Sequence, residues 1–234
     1  SQKPVSVIQA IDQYYSQTNA NVHRGIHLLA EEATQAYENA RSKIAKFVGV
    51  EDATQVVFTR NTTESINLVA RTWGEKFLND GDVILTTEME HHSNIVPWFT
   101  LADEKNISIK FIHVTSEGKL DLDHLKELLK LNPKIVAFTH MSNVLGTINP
   151  AKEIIDLSHD AGAFVIVDGA QSVPHFSVSI DELDADFYAF SAHKMCGPTG
   201  IGILFGKKSL LEDMPPFLGG GDMIKKVTFT GFST

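Results

Sequence analysis

Phe164-Val165-Ile166-Val167-Asp168-Gly169-Ala170-Gln171 decides how this sequence folds. Four apolar residues in a row do not alternate with polar ones, so the run reads as a strand covered on both faces. It ends in an acid and a Gly turn. Working outward, the same grammar repeats. β-type runs occur at 55–59, 83–87, 109–114, 135–139, 187–191 and 200–205. Helical periodicity fills the spaces between, at 28–48 (Ala33, Tyr37, Ala40, Ile44, Phe47), through Ile66, Val69, Trp73 and Phe77, and at about 94–105, 122–130 and 151–161. Strands alternating with helices predict an α/β fold, a mostly parallel seven-stranded sheet with helices on both faces. In such sheets ligands sit beyond the carboxyl ends of the strands.

The chain has 234 residues, 43% of them hydrophobic, enough to bury a core without disulfides or metals. Its 20 Lys+Arg against 29 Asp+Glu give a net charge of −9 with no dense basic run, which argues against a nucleic-acid or anionic-membrane partner. The lone Cys196 excludes an intrachain disulfide and fits a reducing, cytoplasmic setting. No apolar run reaches membrane-spanning length. The first residue is Ser1 and the last ten, KKVTFTGFST, alternate like a strand, so the sequence is expected to be a fragment of a longer protein.

Four strand ends carry candidate chemistry. Asp168 is either a turn carboxylate or a partner for a cationic ligand group such as a protonated pyridine nitrogen. Lys194 follows the apolar run 187–191 and precedes Gly197-Pro198-Thr199-Gly200, so it is expected to face inward, partly desolvated, as an amine nucleophile able to capture an aldehyde. Arg60-Asn61-Thr62-Thr63-Glu64 opens a helix. Its Thr and Asn side chains are either helix caps or a cradle for phosphate, and Glu64 is expected to face away from it. His91 and His92 diverge along the chain with no further ligands in a zinc pattern, so no metal is expected; a single imidazole stacked on a flat cofactor suits the position better. Together these describe a site for pyridoxal 5′-phosphate (PLP).

VHRGIH (22–27), RNTTESINLVA (60–70), EMEHHSNIVPW (88–98), HMSNVLGTINP (140–150), VIVDGAQS (165–172), SAHKMCGPTGIG (191–202) and FLGGGDMI (217–224) closely resemble the class V aminotransferase family. Within it they look like the SUF-type cysteine desulfurases and the related selenocysteine lyases. The resemblance spans the whole chain, as the PLP-binding large domain at 1–234, and implies that an N-terminal stretch and a small C-terminal domain lie outside it. It implies that Lys194 binds the cofactor aldehyde and serves as base, that His91 stacks on the ring, and that Asp168 meets the ring nitrogen. It places Gln171 at the phenolic oxygen, and Thr63, Ser191 and His193, with Thr62 beside them, at the phosphate. Asn143 is implied near the substrate carboxylate, and His23 and Arg24 at the mouth of the site, at a homodimer interface. The implied reaction takes sulfur from L-cysteine, leaving L-alanine and a protein persulfide that passes to a scaffold of the SUF system for iron–sulfur assembly. The family's sulfur-accepting cysteine and substrate-clamping arginine have no match here. Cys196 does not match that cysteine and is expected to be a small buried filler. Rival readings are a selenocysteine lyase or another class V transaminase, and a PLP-binding domain with no turnover of its own.

Overall fold

The computed structural model describes residues 2–233, apart from the Asp222 side chain; Ser1 and Thr234, the ends of the expected fragment, lie outside the described residues. Helix α1 (Val5–Gln13) and α2 (Leu28–Phe47) precede the first strand, β1 (Val56–Thr59). Helix α3 (Thr62–Val69) continues through a wide turn into α4 (Glu75–Phe77), then β2 (Val83–Thr87), α5 (Val96–Lys105) and β3 (Ser108–Ile112) follow. Next come α6 (Leu122–Leu129), β4 (Ile135–Thr139), α7 (Ala151–Asp160) and β5 (Phe164–Asp168). The short helices α8 (Ser172–His175) and α9 (Ile180–Leu183) lead to β6 (Phe187–Ser191), and β7 (Gly202–Gly206) and α10 (Lys208–Asp213) complete the layer. Strands β8 (Lys226–Thr228) and β9 (Gly231–Ser233) form a separate exposed hairpin, so the alternating tail is two strands rather than one.

The seven strands lie in the order β1-β7-β6-β5-β4-β2-β3, and only β7 runs against the others. The link between β6 and β7 holds no crossover helix, only the Ala192–Lys194 turn and the Gly/Pro loop after it, so the chain must return antiparallel. That reversal puts the 192–201 loop at the carboxyl edge of the parallel strands, where β5 also ends.

Successive residues of the central strands point into two cores. Val165, Val167, Tyr188 and Phe190 join one cluster with Ala45, Leu125 and Ile154. Ile166, Phe187 and Ala189 join the other with Ile66, Trp98 and Leu101. All of these residues are buried, which is why the strands read as unbroken apolar runs. Helix α2 departs from the expected face: Ala30, Ala33 and Ala45 are buried, while Ala40 and Phe47 point outward. The buried stripe steps by four through Tyr37 to Arg41, whose guanidinium lies over the Tyr37 and Phe58 rings, rather than by three to Ala40. Two strands also shift by a residue or two from their expected bounds, β3 starting at Ser108 and β7 at Gly202.

Below the sheet, at the amino ends of β5 and β6, Asp186 is 3% exposed and ties three elements together. It accepts from the Val165 N–H (2.7 Å), pairs with Lys207 Nζ (2.9 Å) and meets His159 Nε2 (2.8 Å).

Candidate functional site

Ser191, Gly202 and Thr59 stand side by side at the ends of three neighbouring strands. The loop after Thr59 crosses Gly202 so closely that a Cβ there would stand 2.4 Å from Asn61 Cα and 2.5 Å from its nitrogen. No side chain fits, so glycine at 202 is what lets the loop deliver Thr62 to Ser191. Thr62 N–H donates to Ser191 Oγ (2.8 Å) and the two hydroxyls meet at 2.6 Å, both residues buried. Asn61 caps α3 through Oδ1, which accepts from Glu64 N–H (2.9 Å). Glu64 folds back onto Arg60 at the start of the loop, pairing with its guanidinium (2.7 Å) and accepting from its backbone N–H. The structure therefore supports the capping role and leaves the first turn of α3 beside two hydroxyls, an arrangement that suits an anion. Gly202→Ala should cost about 1–3 kcal/mol of stability by overpacking and weaken PLP binding, read by thermal melting and by titration with the cofactor; an unchanged affinity would show that the loop position does not matter.

Thr63 is linked to the next strand end. Its hydroxyl lies 2.7 Å from Ser93 Oγ, which lies 2.9 Å from His91 Nδ1. Ser93 N–H also donates to His91 Nδ1 (3.1 Å), which ties the ring to its own turn. Ser93 was not picked out from the sequence; its place two residues after His91 was the signal.

Asp168 ends β5, 3% exposed, with Oδ1 accepting from Ala170 N–H (2.9 Å). Burial pushes its carboxyl above the usual range, opposed by the Ala170 N–H and by the charges of Lys194 and His91. All three candidates thus share one electrostatic neighbourhood at one sheet edge. The turn after Asp168 rests on the buried Tyr188 ring: a Cβ at Gly169 would stand 2.0 Å from Tyr188 Cε1. Tyr188 OH in turn bridges Ser172 Oγ (2.6 Å) and His140 Nδ1 (2.8 Å). Burial pulls His140 down to about 4 and raises the Tyr188 phenol, so both stay neutral as props beneath the turn.

Lys194 lies in the short turn Ala192–Lys194 and is exposed, correcting the expectation of a partly desolvated amine. The turn stands on the rim of the sheet, and Thr199 and Gly200 after it are exposed too. Cys196 is also exposed, not a buried filler. Gly197 N–H bonds back to the Ala192 carbonyl (2.8 Å), and the left-handed backbone of Cys196 (φ 66°) swings its side chain outward.

His193 is half-buried; burial, then the charges of Lys194 and Lys3, pull its imidazole below the usual value. Those cations are what a phosphate would be drawn to. Gln171 lies directly before α8, and its carbonyl accepts from His175 Nδ1 (2.6 Å). Asn143 is exposed in the loop after β4, where Ser142 Oγ takes the N–H groups of Val144 and Leu145. His23 is held to α2 instead: its N–H donates to Thr34 Oγ1 (2.9 Å) and its Nε2 meets Glu38 (2.9 Å). The Arg24 guanidinium lies near Gly221, which a Cβ would bring to 3.9 Å. Among the described residues no group of three or more His, Cys, Asp or Glu could hold a metal ion, and no helix is long and apolar enough to cross a membrane.

A doubly covered, mostly parallel sheet with an amine, a buried acid, an imidazole and paired hydroxyls at one carboxyl edge defines an α/β domain with its polar groups gathered where such sheets take ligands. The chain belongs to the class-V aminotransferase family, whose model matches residues 1–234, and that family is PLP-dependent. It is 50% identical over 230 residues to a cysteine desulfurase of Haloferax volcanii, covering 98% of this chain and 54% of that protein. A probable cysteine desulfurase of Synechocystis is 50% identical over 234 residues, 100% of this chain and 56% of the relative. Among solved structures, a cysteine desulfurase of Thermococcus onnurineus in its apo form superposes with a TM-score of 0.94 at 43% identity, covering 100% of this chain and 58% of that one. The cysteine desulfurase CsdA of Escherichia coli gives 0.91 at 44% identity, with 99% and 58% covered. The chain thus spans little more than half the length of these relatives.

The residues present fit PLP. A buried carboxylate with one oxygen free of protein hydrogen bonds among the described residues suits a protonated ring nitrogen, and the exposed Lys194 amine is reachable by an aldehyde.

Proposed function

We propose that this chain is the PLP-binding domain, 1–234, of a cysteine desulfurase. The observation that carries the reading is that the buried Asp168 at the end of β5 neighbours, at one sheet edge, the end of β6, where the Thr62–Ser191 pair and the Lys194 turn lie. The roughly 50% identity to cysteine desulfurases supports it.

In this reading Lys194 Nζ would capture the aldehyde, Asp168 would meet the ring nitrogen and Gln171 the phenolic oxygen. His91 would lie against the ring, and Thr62, Thr63, Ser191 and His193 would hold the phosphate. When bound, PLP supplies an electron-withdrawing ring that takes up the electrons of a broken bond at an amino acid's α-carbon. Lys194 Nζ is the base that takes the α-proton, and Asp168, by staying ionised against a cationic ring nitrogen, keeps that ring electron-poor. Asn143 would stand toward the substrate carboxylate, and His23 and Arg24 at the mouth of the site, at the homodimer interface. The substrate is L-cysteine: a protein thiolate other than Cys196 attacks its sulfur, the carbon–sulfur bond breaks to leave L-alanine, and the resulting protein persulfide is destined for a SUF scaffold and iron–sulfur assembly in the cytoplasm, with the enzyme a homodimer.

Alanine formed from cysteine by the PLP-loaded protein tests the reaction; a keto acid formed instead would move it to the transaminases. Asp168→Ala should leave PLP bound but slow exchange of an amino acid's α-proton with solvent by about 100-fold, followed by proton NMR in D2O. An undiminished exchange rate would remove Asp168 from the ring nitrogen.

A further inference from the structure

Glu90 lies directly before His91 and does more than its neighbours. Its Oε1 lies 2.6 Å from Thr87 Oγ1 and accepts from Thr139 N–H (2.8 Å), while Oε2 accepts from Asn94 Nδ2 (2.7 Å). These partners belong to β2, to the turn carrying His91, and to β4. None is incidental. Thr139 is the residue of β4 that pairs with Asp168 in the sheet. Asn94 is fully buried and its Oδ1 is taken by the Nε1–H of the equally buried Trp98 (3.2 Å). One carboxyl therefore fastens both ends of the segment bearing His91 to the strand beside Asp168.

We infer that Glu90 is a positioning residue: by bridging β2, β4 and Asn94, its carboxyl sets where the His91 ring stands relative to Asp168. The inference rests on the PLP reading of the site and names a residue whose action runs through His91. Burial pushes the Glu90 carboxyl up to about 8, with Thr87, Asn94 and Thr139 pulling the other way and Asp168 adding to the rise. Thr87 Oγ1–H, Thr139 N–H and Asn94 Nδ2–H all donate to it. No other residue type reproduces this set. Glutamine has the same shape, but its amide must aim an N–H at either Thr139 N–H or Asn94 Nδ2, and Asn94 is prevented from flipping by Trp98. Glu90→Gln thus turns one bond into a donor–donor contact, and Glu90→Ala removes all three.

The test uses PLP-loaded protein and reads the visible circular dichroism of the bound cofactor divided by its absorbance. That ratio reports the chiral setting of each ring and does not fall merely because fewer molecules are folded or loaded. Wild type, Glu90→Gln, Glu90→Ala, His91→Ala and the Glu90→Ala/His91→Ala double variant are compared. Glu90→Ala is expected to move the ratio at least half as far as His91→Ala, Glu90→Gln less far in the same direction, and the double variant no further than His91→Ala alone. A ratio unchanged in both Glu90 variants, or a double variant that shows the sum of the two single effects, overturns the inference. If Glu90→Ala does not fold, Glu90→Gln with its own double variant gives the same comparison. Wild-type protein that develops no visible band with PLP overturns the cofactor reading itself, an outcome distinct from a wild-type band that Glu90 does not influence.

Discussion

Lys194→Ala should abolish the visible absorbance that PLP acquires on capture by a protein amine, and with it all borohydride-trapped label. The expected effect is complete because the chemistry needs a neutral amine within bonding reach of an aldehyde, and no weaker group substitutes for it. Lys194 stands at the end of β6, one strand over from Asp168, and its charge is felt at that buried carboxyl. Lys3 is the natural rival, since its Nζ reaches the His193 carbonyl (3.3 Å). Lys3→Ala is therefore the control: it should leave the band and the trapped peptide unchanged. A band that survives in Lys194→Ala and disappears in Lys3→Ala would reassign the amine.

The largest effect on stability is expected at Asp186, at the opposite edge of the sheet. Asp186→Ala leaves the buried Val165 N–H without its acceptor and deprives Lys207 and His159 of a shared partner, a loss of about 3 kcal/mol. For a chain of this size that lowers Tm by roughly 10 °C, measured by thermal or urea unfolding. Asp186→Asn, which keeps an acceptor for Val165, should lose about half as much. Burial alone would lower the Lys207 pKa, but Asp184 and Asp186 outweigh it and hold the amine above its usual 10.5. A cation raised in the folded state contributes fully below its unfolded value and loses that contribution as pH climbs through the folded one. The gap between wild type and Asp186→Ala should accordingly narrow in strongly alkaline solution. By contrast, breaking the exposed Arg71–Glu75 pair should cost at most about 1 kcal/mol. An Asp186→Ala variant no worse than that would mean the buried network contributes nothing beyond a surface pair.

The strands were legible because each central one is buried on both faces, and burial on both faces leaves a mark in adjacent residues: Val165-Ile166-Val167 needs no distant information to be read. Asp168, Lys194 and the 60–64 loop were legible for a related reason, since each is a polar break at the end of an apolar run. The helix α1 was not read, and the structure shows why: none of its residues is buried, so its apolar positions face no core that would impose a period. Glu90 escaped as well. An acid between Met89 and His91 looks like an ordinary turn residue until Thr139, 49 positions away, is found to donate to it.

What the amino-acid order determined unaided is local: which segments are extended, which are helical, where the polar groups interrupt them, and hence the class of fold. These follow from side-chain spacing along a few consecutive residues. Which strand ends became neighbours was decided only by the folded chain, through the register that sets Ser191 beside Gly202 and Thr59, and through the space that a missing side chain at Gly202 leaves for Asn61. The exposure of Lys194 and Cys196 was decided there too. Solvent contact depends on what packs over a group from elsewhere in the chain, and no pattern in the residues next to it records that.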